Sequence, residues 1–128
     1  MPPFKPLQVV VISLWAEDMP AAVHFYRDVV GLDLLPHHGR QPAFDLGDGS
    51  HLVIVQGQPV PAQNAQPSRF PLIAFAVADL DRAVEHLEAH GVGLPWGIET
   101  GKDARWVMFQ DPAGNLIEFA QTSRKTHH

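Results

Sequence analysis

Glu118 is the side chain in this sequence best placed to do chemistry. It stands four residues past Gly114 of the turn Asp111-Pro112-Ala113-Gly114-Asn115, inside the apolar pattern Leu116–Ala120. Apolar surroundings disfavour the charged form of a carboxyl and raise its pKa. Such a group can anchor a ligand amine or hydroxyl, or act as a general base. Paired with Arg105, it would instead be a structural ion. Trp15, Trp96 and Trp106 are the rings that could stack on a planar ligand, or pack as core or interface residues. Lys102 and Arg105, ahead of the last hairpin, could meet a ligand anion, although a solvated surface is the commoner place for such charges. His37-His38 follow Pro36 in a predicted loop, while His24, His86 and His90 fall at solvent-side helical spacing and read as surface residues. With no cysteine in the chain, disulfides, thiolate metal sites and cysteine nucleophiles are excluded, and a reducing compartment fits.

The elements that must position these groups are written twice. Val11–Met19 precedes a helical pattern ending at Gly31, and Leu72–Leu80 precedes another ending at Gly91. The two Asp residues opening the helices, Asp18 and Asp79, are offset by 61 positions (79 − 18), about half the chain. Such a repeat announces the architecture before any single residue does. Val9–Leu14 and Leu72–Val77 read as strands. Asp18 and Asp79 are predicted N-caps, with Pro20 in the first turn of the first helix. Ala22, Val23, Tyr26 and Val30, and likewise Ala83, Val84 and Leu87, form the buried helix faces. Hairpins are predicted around Gly47-Asp48-Gly49-Ser50, joining Ala43–Leu46 to His51–Val55, and around Asp111–Asn115, joining Arg105–Phe109 to Leu116–Ala120. A further strand in each half is weakly signalled, near Leu32–Leu35 and Val92–Trp96. Each half is thus strand–helix–strand–strand–strand. Helices pack on one side and leave a curved sheet face on the other, an α+β domain with a cup.

Two motifs carry a family resemblance. Asp18 with His24-Phe25-Tyr26-Arg27-Asp28-Val29-Val30-Gly31-Leu32, and Phe109-Gln110-Asp111-Pro112-Ala113-Gly114-Asn115-Leu116-Ile117-Glu118, resemble the vicinal-oxygen-chelate (VOC) superfamily of glyoxalases, extradiol dioxygenases and fosfomycin- and bleomycin-resistance proteins. Each motif alone is a moderate signal; with the repeat, they are specific and cover nearly the whole chain. The resemblance implies an α+β fold of two βαβββ modules forming a curved, cup-shaped mixed sheet with helices on the outer face. It divides the single domain, 1–128, into module 1 over about 5–57, a Pro-rich linker over 58–70, module 2 over about 71–122 and a disordered tail over 123–128.

Enzymes of that family commonly place His, Gln or Glu at one position on the first and last strand of each module, binding one divalent ion in the cup. Aligned on the Asp and Gly anchors, those positions here are Val11, Val53, Leu72 and Glu118. Three have no donor atom, and a catalytic Zn²⁺, Mn²⁺ or Fe²⁺ takes three or so protein ligands. His51 shares strand parity with Val53, but two residues along a strand shift it by about 6.6 Å, too far to coordinate together with Glu118. Two-residue alternation from these positions puts Val9, Ser13, Trp15, Ala74, Ala76, Leu116 and Ala120 on the same faces, with Val10, Ile12 and Leu14 turned to the helices.

The resemblance and this lining together imply a metal-independent small-molecule-binding protein of the bleomycin-resistance type, sequestering an apolar or aromatic compound. The ligand site is expected at Val11, Ser13, Trp15, Val53, Leu72, Ala74, Trp106, Leu116 and Glu118, with Glu118 the candidate catalytic group should a reaction occur. No metal ligands and no cofactor are assigned. The alternative is a metal-dependent glyoxalase-like lyase, isomerase or dioxygenase holding one divalent metal ion. A net charge of −5 argues against nucleic-acid partners. No apolar run approaches the ~20 residues that span a bilayer. The opening Met-Pro-Pro-Phe-Lys lacks the apolar core of a signal peptide, so a cytoplasmic location is expected. The closing His127-His128 reads as part of the tail or as the remnant of an affinity tag.

Curved sheets leave open edges and apolar faces that a chain of this size must cover, and the resembled family often completes its cups across a dimer. A homodimer is therefore expected. Light scattering at micromolar concentration should give twice the 14.1 kDa chain mass, and a value near that of one chain would reject the expectation.

Overall fold

The structure is a computed structural model that describes Pro3 and residues 5–57 and 72–122. The predicted linker and tail lie outside the described residues. The chain divides into two compact units, Met1–Pro59 and Val60–His128.

The first unit is a four-stranded mixed sheet with one helix. Its strands are β1 (Val11–Ala16), β2 (Asp33–Leu34), β3 (Ala43–Gly47) and β4 (Ser50–Gln56), in spatial order β1-β4-β3-β2. β1 runs parallel to β4; the other pairs are antiparallel. The helix α1 (Met19–His24) starts where the sequence predicts: the Ala21 N–H donates to Asp18 Oδ1 at 3.0 Å, and Pro20 occupies the first turn. The element then widens into a π-helical stretch, Phe25–Val30, closed by Gly31 at φ 91°. Sequence periodicity treats the whole segment as one α-helix with Ala22, Val23, Tyr26 and Val30 inward; the structure seals Phe25 and Val29 beside Ala22 and Tyr26, and Val23 and Val30 are half-buried.

The second unit repeats this plan with β5 (Ile73–Ala76), α2 (Leu80–Ala89), β6 (Ile98–Thr100), β7 (Ala104–Gln110) and β8 (Leu116–Thr122), in order β5-β8-β7-β6. Asp79 Oδ1 accepts from the Arg82 N–H at 3.1 Å, and Gln121 Oε1 accepts from Leu80 N–H at 2.7 Å, so two donors at the start of α2 are satisfied. The weakly signalled strand lies later than predicted. Residues 92–96 form a loop and turn, and the strand begins at Ile98. Gly97, at φ 62°, donates its N–H to Leu94 O at 3.0 Å, a tight turn that ends any extended run there. The first strand of module 1 likewise starts at Val11 rather than Val9.

Each sheet buries most of the face predicted from alternation, with two departures: Val10, expected on the helix side, precedes β1 and is exposed, and Leu116, expected on the open face, is buried. In the first unit Tyr26, Phe44, Leu52 and Ile54 are fully buried, with the Tyr26 and Phe44 rings 5.9 Å apart. In the second, Leu80, Leu87, Val107, Phe109 and Ile117 are fully buried. Such side chains stabilise a fold by about 1.5–3 kcal/mol each.

The turn between β7 and β8 depends on one buried carboxylate. Asp111, 6% exposed, accepts from the N–H groups of Ala113 (2.9 Å) and Asn115 (2.8 Å) and from Asn115 Nδ2 (2.8 Å). Asp111→Ala should strand two backbone donors and lower unfolding free energy by about 1–3 kcal/mol in urea denaturation. An unchanged midpoint would show that the turn holds without it.

Candidate functional site

In the first unit, Ile12 and Leu14 turn toward the helix side, whereas Val11 and Trp15 are 49% and 47% exposed. Strand register then fixes three rows across the open face. Val11 lies opposite His51, which lies opposite Asp45, with Asp33 beyond. Ser13 faces Val53, which faces Ala43, and Trp15 faces Val55. A cavity of ≈260 Å³ opens beside the last row, lined by Ser13, Leu14, Trp15 and Val55.

Trp15 has a specific seat. A Cβ on Gly57 would stand 2.7 Å from its Cε3 and 2.8 Å from its Cζ3, so only glycine lets the indole lie down at that point. The second unit repeats the device, with Trp106 Cζ3 2.9 Å from the Cβ position of Gly101. Trp106 Nε1 also donates to Glu99 Oε1 at 3.2 Å.

On the second sheet, Glu118 lies between Ala74 on β5 and Met108 on β7, and Ala120 lies between Ala76 and Trp106. Glu118 is half-buried, Ala74 and Ala76 are exposed, and Leu116 and Met108 are 8% and 6% exposed. Leu72 is half-buried, just ahead of β5. Each predicted site residue thus lies on or beside one of two sheets: Val11, Ser13, Trp15 and Val53 in the first unit, and Leu72, Ala74, Trp106, Leu116 and Glu118 in the second.

Arg105 does not reach Glu118. It shares parity with the buried Val107 and Phe109, on the helix side of β7, and pairs with Asp81 on α2 at 3.4 Å. Trp96 sits in the turn before β6, 37% exposed. His86 and His90 are exposed near the end of α2, as expected of surface residues. His24 bonds to Asp28 at 2.8 Å, and Arg27 donates to the same carboxylate at 3.1 and 2.9 Å. That guanidinium holds the Asp28 carboxyl below its ordinary pKa and has its own raised in return. Asp45, Val55 and the two glycine seats were not marked by any motif; alternation along β3 and β4 would have located the first two.

The donor set does not fit a catalytic divalent ion. Val11, Val53 and Leu72 offer no donor atom, and among the described residues no three His, Cys, Asp or Glu gather so that they could hold a metal ion. What the faces offer is apolar area and two seated indoles, with Ser13, His51, Asp45 and Asp33 on the first sheet and Glu118 on the second.

Comparison with known proteins agrees with this geometry. The profile of the Glyoxalase/Bleomycin resistance protein/Dioxygenase superfamily matches residues 8–119. The chain is 30% identical to the uncharacterized protein YaeR of Escherichia coli K12 over 120 residues, covering 87% of this chain and 93% of YaeR. It is similar in structure to a glyoxalase/dioxygenase from Nostoc punctiforme, with a TM-score of 0.80, 26% identity and 97% of each chain covered. It is also similar to TnmS3, an antibiotic binding protein from Streptomyces sp. CB03234, with a TM-score of 0.74, 28% identity, and 94% of this chain and 99% of that one covered.

Placing a methyl at Gly57 should push the Trp15 ring off its seat. In a background with Trp96 and Trp106 changed to Phe, Gly57→Ala should shift the emission of Trp15 and cost about 1–3 kcal/mol through overpacking. An unchanged spectrum would show that the indole does not rest there.

Proposed function

This chain belongs to the Glyoxalase/Bleomycin resistance protein/Dioxygenase superfamily, and on that premise we propose that it is a metal-independent small-molecule-binding protein that sequesters an apolar or aromatic compound. The observation that carries this reading is the chemistry of the four repeat-equivalent positions. Three are Val11, Val53 and Leu72, and the fourth is Glu118. The second sheet sets that carboxylate between Ala74 and Met108, a surround that suits a ligand pocket, where apolar walls supply affinity and a few polar groups set orientation. Glu118 is the polar group on that sheet, while on the first unit's own sheet Ser13 has this part and Trp15 supplies a stacking surface. The antibiotic-binding neighbour TnmS3 supports the same class of activity. A cytoplasmic homodimer without nucleic-acid or membrane partners completes the proposal. Among the described residues no helix is long and apolar enough to cross a membrane.

The Nostoc glyoxalase/dioxygenase favours a second reading, a metal-dependent lyase, isomerase or dioxygenase with Glu118 as one ligand. The two readings separate in one experiment. Protein freed of its terminal His pair and dialysed against EDTA is titrated with a panel of aromatic antibiotics and metabolites, following tryptophan emission. Saturable binding without metal is expected, and Glu118→Gln should weaken the best ligand by about 1–3 kcal/mol, as for loss of a charge-assisted hydrogen bond. One metal per chain in elemental analysis, with binding only after metal is restored, would overturn the proposal in favour of the second reading.

A further inference from the structure

Among the rows at which the open faces of the two modules differ, one carries a histidine in the first module. His51 stands two residues past the turn glycine Gly49, and Leu116 stands two past Gly114. Register gives them matching neighbours: His51 pairs with Asp45, and Leu116 pairs with Gln110. The fold therefore accepts a buried leucine at this position, and where the second module has Leu116 the first holds a histidine beside a carboxylate.

Neighbouring rows complete the picture. The His51–Asp45 row carries no Lys or Arg on any strand of the first sheet: its members are Val11, His51, Asp45 and Asp33. Asp45 is exposed, and its Oδ1 accepts from the Gly47 N–H at 2.8 Å, which fixes the carboxylate beside the strand. One row away lie Ser13, Val53 and Ala43; two rows away lie Trp15, Val55 and the cavity beside them. At two residues per row, the anionic end and the aromatic end stand about 13 Å apart.

We propose that Asp45 and His51 set the specificity of this ligand face, selecting a planar aromatic compound that carries a basic amine at one end. The inference rests on the small-molecule-binding reading above. The rings lie toward Trp15 and Val55 over the small, apolar middle row, and the ammonium group reaches the row of Asp45 and His51. Asp45 supplies the opposite charge. His51 supplies a directed hydrogen bond that Leu116 cannot give at the matching position of the second module. An anionic aromatic meets the carboxylates of Asp45 and Asp33 on that row and is disfavoured.

Three matched probes test this: 2-(aminomethyl)naphthalene, 2-naphthalenemethanol and 2-naphthoate, each titrated against wild type, Asp45→Asn and His51→Leu by tryptophan emission and calorimetry. Asp45→Asn keeps an acceptor for the Gly47 N–H, and His51→Leu takes the residue that the second module already tolerates. The amine should bind wild type about tenfold more tightly than the naphthoate, the scale of a charge-assisted hydrogen bond. In Asp45→Asn the two should fall within about threefold of each other, and His51→Leu should weaken the amine several-fold. Saturable binding of all three with equal Kd in wild type, or an amine preference that survives both substitutions, would overturn the specificity assignment while leaving the binding reading intact. No saturable binding of any probe would count against both.

Discussion

Tyr26, Phe44, Leu52 and Ile54 are fully buried, and their packing against one face of the first sheet decides what the other face can present. Strand side chains alternate, so sealing Leu52 and Ile54 turns His51, Val53 and Val55 outward, and sealing Phe44 turns Ala43 and Asp45 the same way. The second unit obeys the same constraint through Val107, Phe109, Ile117 and Phe119, which leaves Trp106, Met108 and Glu118 on the opposite face. A register slip of one residue would exchange the two sets entirely. The faces available for binding are therefore a by-product of core formation, and their chemistry is free to vary between modules.

That freedom is visible in the repeat. Val53 and Glu118 occupy matching places, each opposite a small residue of the neighbouring parallel strand, Ser13 in one case and Ala74 in the other. The backbone arrangement is kept and the donor atoms are not. A metal site needs convergent donors from several strands at once, whereas an apolar binding face tolerates loss of any one of them. Membership of a superfamily with several chemistries thus leaves function to the side chains at these places.

Much of this was legible in the sequence, because the strongest signals are local. Asp18 and Asp79 as caps, Gly31 as a helix stop, and the turn built on Asp111 all rest on interactions within a few residues. Alternation matches the burial along Val11–Trp15 and Ile117–Ala120, while the exposed Val10 and the buried Leu116 depart from it. What escaped depended on the third dimension. The strand at Ile98–Thr100 is three residues long and follows a Pro95-Trp96-Gly97 turn, too short for periodicity to register. Arg105 is a candidate partner for Glu118 in the sequence, yet its parity sends it to Asp81 on α2. The seating of Trp15 on Gly57 and of Trp106 on Gly101 joins residues with no shared motif, brought together only by the fold. The π-helical stretch Phe25–Val30 buries Phe25, Tyr26 and Val29, of which α-helical spacing selects only Tyr26.

The claim at the centre of this account is that the open sheet faces themselves receive a small molecule, with no metal required. Methyl-labelled NMR of the full chain in EDTA, with a saturating aromatic ligand, reads that claim directly. Shifts and ligand contacts should appear at the methyls of Val11, Val53, Val55 and Leu72, while those of Leu52, Ile54 and Ile117 on the sealed faces stay in place. Perturbations confined to methyls away from these faces, or appearing only once a divalent metal is added, would contradict it.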